Sequence, residues 1–152
     1  MINKTQLKSL IKRTLTRYSL YSGSALELVY GTIAVESNRG SYLRQVVKNF
    51  DIDRHALGIA QMEKATFEWL KEKFKPLVKI ERIATEYYPI EFEELEYNLE
   101  LSILFCRLRY LADSKPLPEP SDIEGLANYW KRVYNTVKGA GKVEDFIKKY
   151  NK

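Results

Sequence analysis

Residues 92–111 read FEELEYNLELSILFCRLRYL, and apolar side chains recur through this stretch at helical spacing. One stripe is formed by Leu95, Leu99, Ile103 and Cys106, and beside it lie Leu101, Leu104, Phe105 and Leu108. A helix that is apolar around most of its circumference has to be covered by other elements. We therefore predict a single long helix over Phe92–Leu111 that forms the centre of the core.

The first third of the chain predicts two helices and a loop. Thr5–Tyr18 is amphipathic, and the run Ser24–Val35 is mostly apolar and begins with a Ser-x-x-Glu capping box. The second helix should end within residues 36–40, because Asn and Gly terminate helices. Residues 41–55 show no clear period and are interpreted as a loop with at most a short helix.

Prolines divide the middle of the chain. Helical spacing resumes at Ala65, is interrupted by Pro76, continues through Ile83 and stops at Pro89. This pattern predicts two helices of medium length. Residues 114–120, which contain three prolines, predict an extended surface connection.

The C-terminal part predicts two further helices. One is capped at Ser121 and runs to about Tyr134, and a short one closes the chain over Val143–Tyr150 after a glycine-containing break. No run alternates with the period of two that marks a half-buried strand. The predicted fold is therefore all-α, and at 152 residues the chain is expected to form one domain over residues 1–152.

Composition limits the classes of function. The net charge of +5 favours contact with polyanions such as wall polymers, nucleic acid or anionic lipid, without choosing among them. The single His and the single Cys106 leave too few ligands for a structural zinc site, and no phosphate-binding glycine motif is present. We expect no metal, no cofactor and no disulfide within the chain, with Cys106 as a buried thiol.

Glu36 is the candidate for acid/base chemistry. It follows the apolar residues Ile33, Ala34 and Val35 and precedes a polar turn, so it should have an apolar wall behind it and open space in front. Desolvation raises the pKa of such a carboxyl, which can then donate a proton to a glycosidic oxygen near neutral pH. Its position alone also fits a glutamate that simply points to solvent at the end of a helix.

Three segments besides the one at Glu36 occur in a fixed order along the chain. The four segments are AVESNRG at residues 34–40, ALGIAQM at residues 56–62 with Thr66 after it, Asn98-Leu99 with Ser102 and Phe105, and Val133-Tyr134-Asn135 with Gly139 and Gly141. Together they resemble the motifs of the lysozyme-like lytic transglycosylases, the group of the soluble lytic transglycosylases and goose-type lysozymes. The resemblance spans most of the chain.

The resemblance implies a lysozyme-like helical domain that cleaves the β-1,4 bond between N-acetylmuramic acid and N-acetylglucosamine in peptidoglycan. Glu36 would be the catalytic acid and base. The implied substrate-binding residues are Ser37, Gly58, Gln61, Met62, Tyr134 and Asn135. Gly58 would let the backbone approach a sugar ring, the Gln61 amide would contact N-acetyl groups, and the Tyr134 hydroxyl would orient Glu36.

The second step of the reaction stays open. After protonation, Glu36 would deprotonate either the 6-hydroxyl of the sugar, which gives a 1,6-anhydro product, or a water. Inverting hydrolysis needs a second carboxylate, for which Asp51, Asp53 and Glu63 are candidates. No motif places any of the three, which favours the single-acid route. Ala60 stands where the family has Met, so the details of the subsites differ from the family pattern.

The expected partner is the glycan strand of bacterial peptidoglycan, with other virion proteins as further candidates and without nucleic acid or a membrane span. The N-terminus lacks the apolar core of a signal peptide, so we expect synthesis in the cytoplasm and action in the periplasm or at the cell wall, as a phage lysin or virion component. Two alternatives remain: a non-catalytic wall-binding or structural virion module of the same fold, and a basic helical nucleic-acid-binding protein.

Overall fold

A computed structural model describes residues 1–75 and 90–152, and helices account for most of this part of the chain. The six α-helices are α1 (Lys4–Arg17), α2 (Gly23–Ser37), α3 (Lys64–Lys73), α4 (Leu99–Leu111), α5 (Ile123–Trp130) and α6 (Val143–Asn151). A 3₁₀-helix, Phe92–Glu96, precedes α4, and a π-helical turn, Lys131–Asn135, continues α5.

The all-α prediction is confirmed for the described residues, in which the only β-type contacts are isolated bridges at residues 44–57 and 57–62. The loop at residues 41–55, the extended connection at residues 114–120 and the closing helix are also confirmed. The second helix predicted between Pro76 and Pro89 lies outside the described residues. None of the described helices is both long and apolar enough to cross a lipid bilayer.

Two of the predicted helix caps are wrong by one or two residues. The hydroxyl of Ser22, and not that of Ser24, accepts a hydrogen bond from the Ala25 N–H at 3.0 Å, so α2 begins earlier than predicted. Likewise the carboxylate of Asp122, and not Ser121, accepts from the Gly125 N–H at 2.9 Å. In both cases the residue just before the helix satisfies one of the free N–H groups of the first turn.

The predicted long helix Phe92–Leu111 is interrupted at residues 97–98. Asn98 adopts an extended conformation, and its side-chain oxygen accepts a hydrogen bond from the Leu101 N–H at 3.0 Å, so Asn98 caps α4. Asparagine side chains compete in this way with helix continuation. The Ser102 hydroxyl donates to the Leu95 carbonyl at 2.7 Å and holds the 3₁₀-helix against the first turn of α4.

Helices α2 and α4 form the centre of the core. Helix α4 contacts α1, α2 and α3, the 3₁₀-helix and the π-helical turn, and eight of its side chains are buried. Helix α2 contacts α1, α4, α5 and α6. Gly31 of α2 faces the Phe146 ring of α6, where an added Cβ would lie 2.1 Å from the ring, so the absence of a side chain sets the close approach of these helices. The prediction that α4 is central and buried is confirmed.

Candidate active site

A cavity of about 460 Å³ opens where α2 ends and where other parts of the chain converge. One wall comes from the loop before α3, another from Arg109 on α4, and a third from the π-helical turn and the residues after it. The lining residues are Glu36, Gln45, Ala56, Gln61, Met62, Glu63, Thr66, Arg109, Tyr134, Asn135, Thr136, Lys138 and Gly139. This cavity contains Glu36 and four of the six other residues that the resemblance implied.

Glu36 lies in the last turn of α2, and the left-handed backbone of Asn38 ends the helix two residues later. Its Oε1 accepts a hydrogen bond from the indole Nε1 of Trp130 at 3.0 Å. Burial raises the pKa of the Glu36 carboxyl to about 7, although the bond from Trp130 lowers it. At neutral pH this carboxyl is therefore divided between its protonated and ionised forms.

The wall behind Glu36 is built from buried groups that stay neutral. Burial raises the pKa of Tyr110 and of the Cys106 thiol well above their usual ranges, and the Glu36 charge raises both further. The Tyr110 hydroxyl forms a 2.6 Å hydrogen bond with Thr32, which in turn donates to the Leu28 carbonyl. These buried, neutral groups give Glu36 a low-polarity backing.

Tyr134 lines the cavity, but it does not orient Glu36 as predicted. Its hydroxyl donates to the Ala60 carbonyl at 2.7 Å, and its ring lies 5.5 Å from that of Tyr110. The group that holds the carboxyl is Trp130, which our sequence analysis did not identify. Tyr134 instead fixes the loop at residues 56–62 to the π-helical turn.

Ser37 and Gly58 have structural roles and do not line the cavity. The Ser37 hydroxyl is buried, donates to the Ile59 carbonyl at 2.6 Å and accepts from the Gly40 N–H, so its donor is already used. Gly58 is buried with φ +84°, and an added Cβ would lie 2.6 Å from the Leu95 carbonyl oxygen. Because Gly58 has no side chain, the 3₁₀-helix can pack closely against its backbone. The space at Gly58 is therefore occupied by the protein and is not open to a sugar ring.

The other three predicted contact residues do line the cavity. Gln61 has a left-handed backbone, φ +48°, and its Nε2 donates to the Gly58 carbonyl at 2.9 Å, which fixes the side-chain amide. Met62 is nearly buried and gives the floor an apolar surface. The Asn135 Oδ1 accepts from the Lys131 Nζ at 2.6 Å, which fixes that amide as well.

Of the three candidates for a second carboxylate, only Glu63 lines the cavity. Asp51 accepts from the Asp53 N–H at 2.9 Å and stabilises the turn at residues 51–55. Asp53 forms an exposed ion pair with Lys64 at 2.9 Å. Both aspartates therefore serve the loop and lie off the cavity wall. Among the described residues, no three His, Cys, Asp or Glu side chains converge as metal ligands.

Three features of the site were missed from the sequence: Trp130, the π-helical turn and the cationic pair Arg109 and Lys138. A tryptophan in an amphipathic helix is typical of core packing, and Trp130 is indeed almost completely buried. Arg109 could have been noticed in the sequence because it places a charge on a helix that is otherwise mostly apolar. No sequence signal marks the π-helical turn, although such turns often occur at functional sites.

Searches of family models, of curated proteins and of solved structures gave no match to this chain.

Proposed function

We propose that the protein is a peptidoglycan lytic transglycosylase of the lysozyme-like kind, with Glu36 as its acid and base. The observation that carries the proposal is a partly buried carboxyl with a pKa of about 7, held by Trp130 in the wall of a cavity large enough for sugar units. The four motifs, which occur in the order found in the lytic transglycosylases, indicate peptidoglycan as the substrate. The net charge of +5 suits an anionic wall polymer.

In this mechanism the protonated Glu36 donates its proton to the glycosidic oxygen between N-acetylmuramic acid and N-acetylglucosamine while the bond from that oxygen to C1 breaks. The Glu36 carboxylate then takes the proton of the 6-hydroxyl on the same muramic acid, and that oxygen attacks C1 to give the 1,6-anhydro sugar. A single carboxyl serves both steps, and its pKa near neutral pH suits both protonation states.

Four of the cavity residues support substrate positioning. The Gln61 amide is fixed because it donates one hydrogen bond, and the Asn135 amide is fixed because it accepts one. The ring of Tyr134 and the thioether of Met62 provide apolar surface. Fixed polar groups on an apolar surface suit amino sugars, which carry N-acetyl groups on an otherwise amphipathic ring. The site of action proposed with this mechanism is the bacterial wall, reached as a lysin or as part of a virion.

The test is release of soluble muropeptides from purified Gram-negative sacculi. We expect the wild type to release them and Glu36→Gln to lose at least about a hundredfold in rate, because a positioned acid/base contributes that much or more. Gln keeps the shape of the side chain and an oxygen for Trp130. The matched control is Glu72→Gln, which removes the charge of an exposed glutamate on α3 away from the cavity. This variant should keep full activity.

Mass spectrometry of the products tests the second step. We expect 1,6-anhydro ends, and we expect Glu63→Gln to leave them unchanged. Reducing ends together with a large loss in Glu63→Gln would assign Glu63 as the base for a water and make the enzyme a hydrolase. Equal release by the wild type and Glu36→Gln, with both proteins folded by circular dichroism, would contradict the proposed function.

A further inference from the structure

The cavity carries two cationic side chains that the proposed proton transfers do not use. Arg109 enters the wall from α4, and Lys138 enters it from the segment after the π-helical turn. Both side chains reach the cavity that holds Glu36 and Glu63, and within the described residues neither cation forms an ion pair with a carboxylate. A charge on a cavity wall without a protein counterion is available to a charged ligand.

The guanidinium of Arg109 lies beside an aromatic ring. Its Cζ is 5.4 Å from the centroid of the Trp69 ring, within the range of a cation–π contact. The N–H groups of a guanidinium form a planar fork that matches the two oxygens of a carboxylate.

Lys138 lines the cavity from an exposed position, and the residues on either side of it are constrained. The Thr136 N–H donates to the Lys131 carbonyl at 2.7 Å, and the Lys131 Nζ donates to the Gly139 carbonyl at 3.0 Å. Thr136 has φ +66° and ψ 172°, a backbone conformation that residues other than Gly rarely adopt. Strained backbone of this kind persists where the surrounding contacts require it, and here it sets the course of the chain at Lys138.

We infer that Arg109, assisted by Lys138, binds a carboxylate of the substrate, so that the cavity selects glycans that carry an acidic substituent over neutral amino-sugar chains. The inference rests on the proposed function. In peptidoglycan the carboxylate has two sources: the lactyl group of a muramic acid that carries no stem peptide, and the peptide itself where one is joined to that lactyl group through an amide bond. Chitin-type chains have neither.

The experiment measures binding of four probes to the full-length Glu36→Gln variant by NMR titration. They are N-acetylglucosaminyl-N-acetylmuramic acid, the same disaccharide with its lactyl carboxyl amidated, the disaccharide carrying a stem peptide, and N,N′-diacetylchitobiose. We expect an acidic probe to bind about tenfold more tightly than the amidated disaccharide, because a charge-assisted bidentate contact is lost on amidation. Preference for the first probe assigns the lactyl group, and preference for the third assigns the stem peptide.

Variants at Arg109 separate this role from packing. Adding Arg109→Gln to the Glu36→Gln variant should remove the tenfold preference and leave chitobiose binding unchanged, and Arg109→Lys should restore only part of it, because Lys lacks the fork. The matched control is Lys73→Gln. The Lys73 Nζ lies 5.8 Å from the centroid of the same Trp69 ring, but Lys73 does not line the cavity.

The outcomes distinguish the two proposals. If acidic and neutral probes bind equally, or if Lys73→Gln removes the preference as fully as Arg109→Gln does, the carboxylate subsite is wrong and the glycan-cleaving function can still stand. If the preference depends on Arg109 but the wild type cleaves no sacculi, the subsite stands and the proposed function falls. Absence of binding by all four probes overturns the subsite.

Discussion

Trp130 sets how acidic Glu36 is. Its indole N–H stabilises the ionised carboxyl and opposes the effect of burial. In Trp130→Phe we therefore expect the pKa of Glu36 to rise above about 7 and, under the proposed function, the alkaline limit of kcat/KM to move to higher pH. Because a buried indole is replaced by a smaller ring, stability should fall by about 1–2 kcal/mol. The pH dependence of kcat/KM measures the pKa of the free enzyme.

The control for this prediction is Phe146→Leu. The Phe146 ring packs on Trp130 at 5.7 Å between centroids and makes no hydrogen bond to Glu36, so its loss should lower stability without moving the pH profile. An unchanged profile in Trp130→Phe, or an equal shift in Phe146→Leu, would show that the indole acts only through packing.

At this scale the sequence predicts the carboxyl but not its partner. Glu36 follows an apolar helix and precedes Asn38, and those neighbours predict its place at a helix end, although they also fit a side chain that points to solvent. Trp130 and Tyr134 are four residues apart, so a regular α-helix would turn both toward the same side. The π-helical turn adds a residue to the turn between them, so which of the two reaches Glu36 depends on tertiary structure.

The loop before α3 and the 3₁₀-helix before α4 meet at Gly58, and this contact positions one wall of the cavity. A methyl group at this position would lie 2.6 Å from both the Leu95 carbonyl oxygen and the Ser102 hydroxyl, on a backbone with φ +84°. We expect Gly58→Ala to lower the free energy of unfolding by about 3 kcal/mol, because the strained backbone and the clash add. Urea denaturation followed by circular dichroism measures the change.

Gly23→Ala is the matched control, since Gly23 begins α2 with an ordinary helical backbone and an added Cβ would meet only the Pro120 ring at 3.1 Å. We expect a change of less than about 1 kcal/mol there, because a helical position gains from Ala and the ring contact offsets that gain. Equal stability of Gly58→Ala and the wild type would mean that Gly58 is free of the 3₁₀-helix, and a sugar-facing role would regain support.

Helical elements follow from periodicity, and their boundaries do not. Apolar spacing predicts α1, α3, α5 and α6, in which burial of one face drives the helix, and a mostly apolar run predicts α2 as a largely buried helix. The interruption at residues 97–98 has a local cause, the Asn98 cap, in a stretch whose apolar stripe continues without a break. Periodicity measures which side chains are buried, and a cap changes the backbone without changing that pattern.

Across the whole molecule, the candidate site depends on packing between the two ends of the chain. Phe146 of the last helix fills the space left by Gly31 and packs against Trp130, which in turn holds Glu36. The last helix is also fixed to the first, because Glu27 accepts hydrogen bonds from both Lys8 and Tyr150. Contacts at such separations leave no mark in local sequence patterns, so the sequence predicts the helices around the site without predicting what holds them together.

The buried carboxyl should make the stability of the whole fold depend on pH. The pKa of Glu36 is about 7 in the folded protein against 4.5 for a free glutamate carboxyl, so between these pH values the folded state binds the extra proton and stability falls as pH rises. Above about pH 7 the loss is complete. Because Glu36 keeps partial exposure, we expect Glu36→Gln to be more stable than the wild type by about 2 kcal/mol at pH 8 and equally stable at pH 4.

Urea denaturation of the wild type and Glu36→Gln at pH 4 and pH 8 measures this difference, and it does so whether or not a substrate is known. Glu63→Gln, an exposed neutralisation on the same cavity, should change stability by less than about 0.5 kcal/mol at either pH. Hydrogen bonds from Arg132 hold the pKa of Asp113 below its usual range. Because this stabilisation is lost when Asp113 is protonated, all three proteins should lose the same amount of stability in acid. A stability difference for Glu36→Gln that is the same at both pH values would mean that Glu36 is not desolvated in the folded protein, and the chemical basis of its role as an acid would fail.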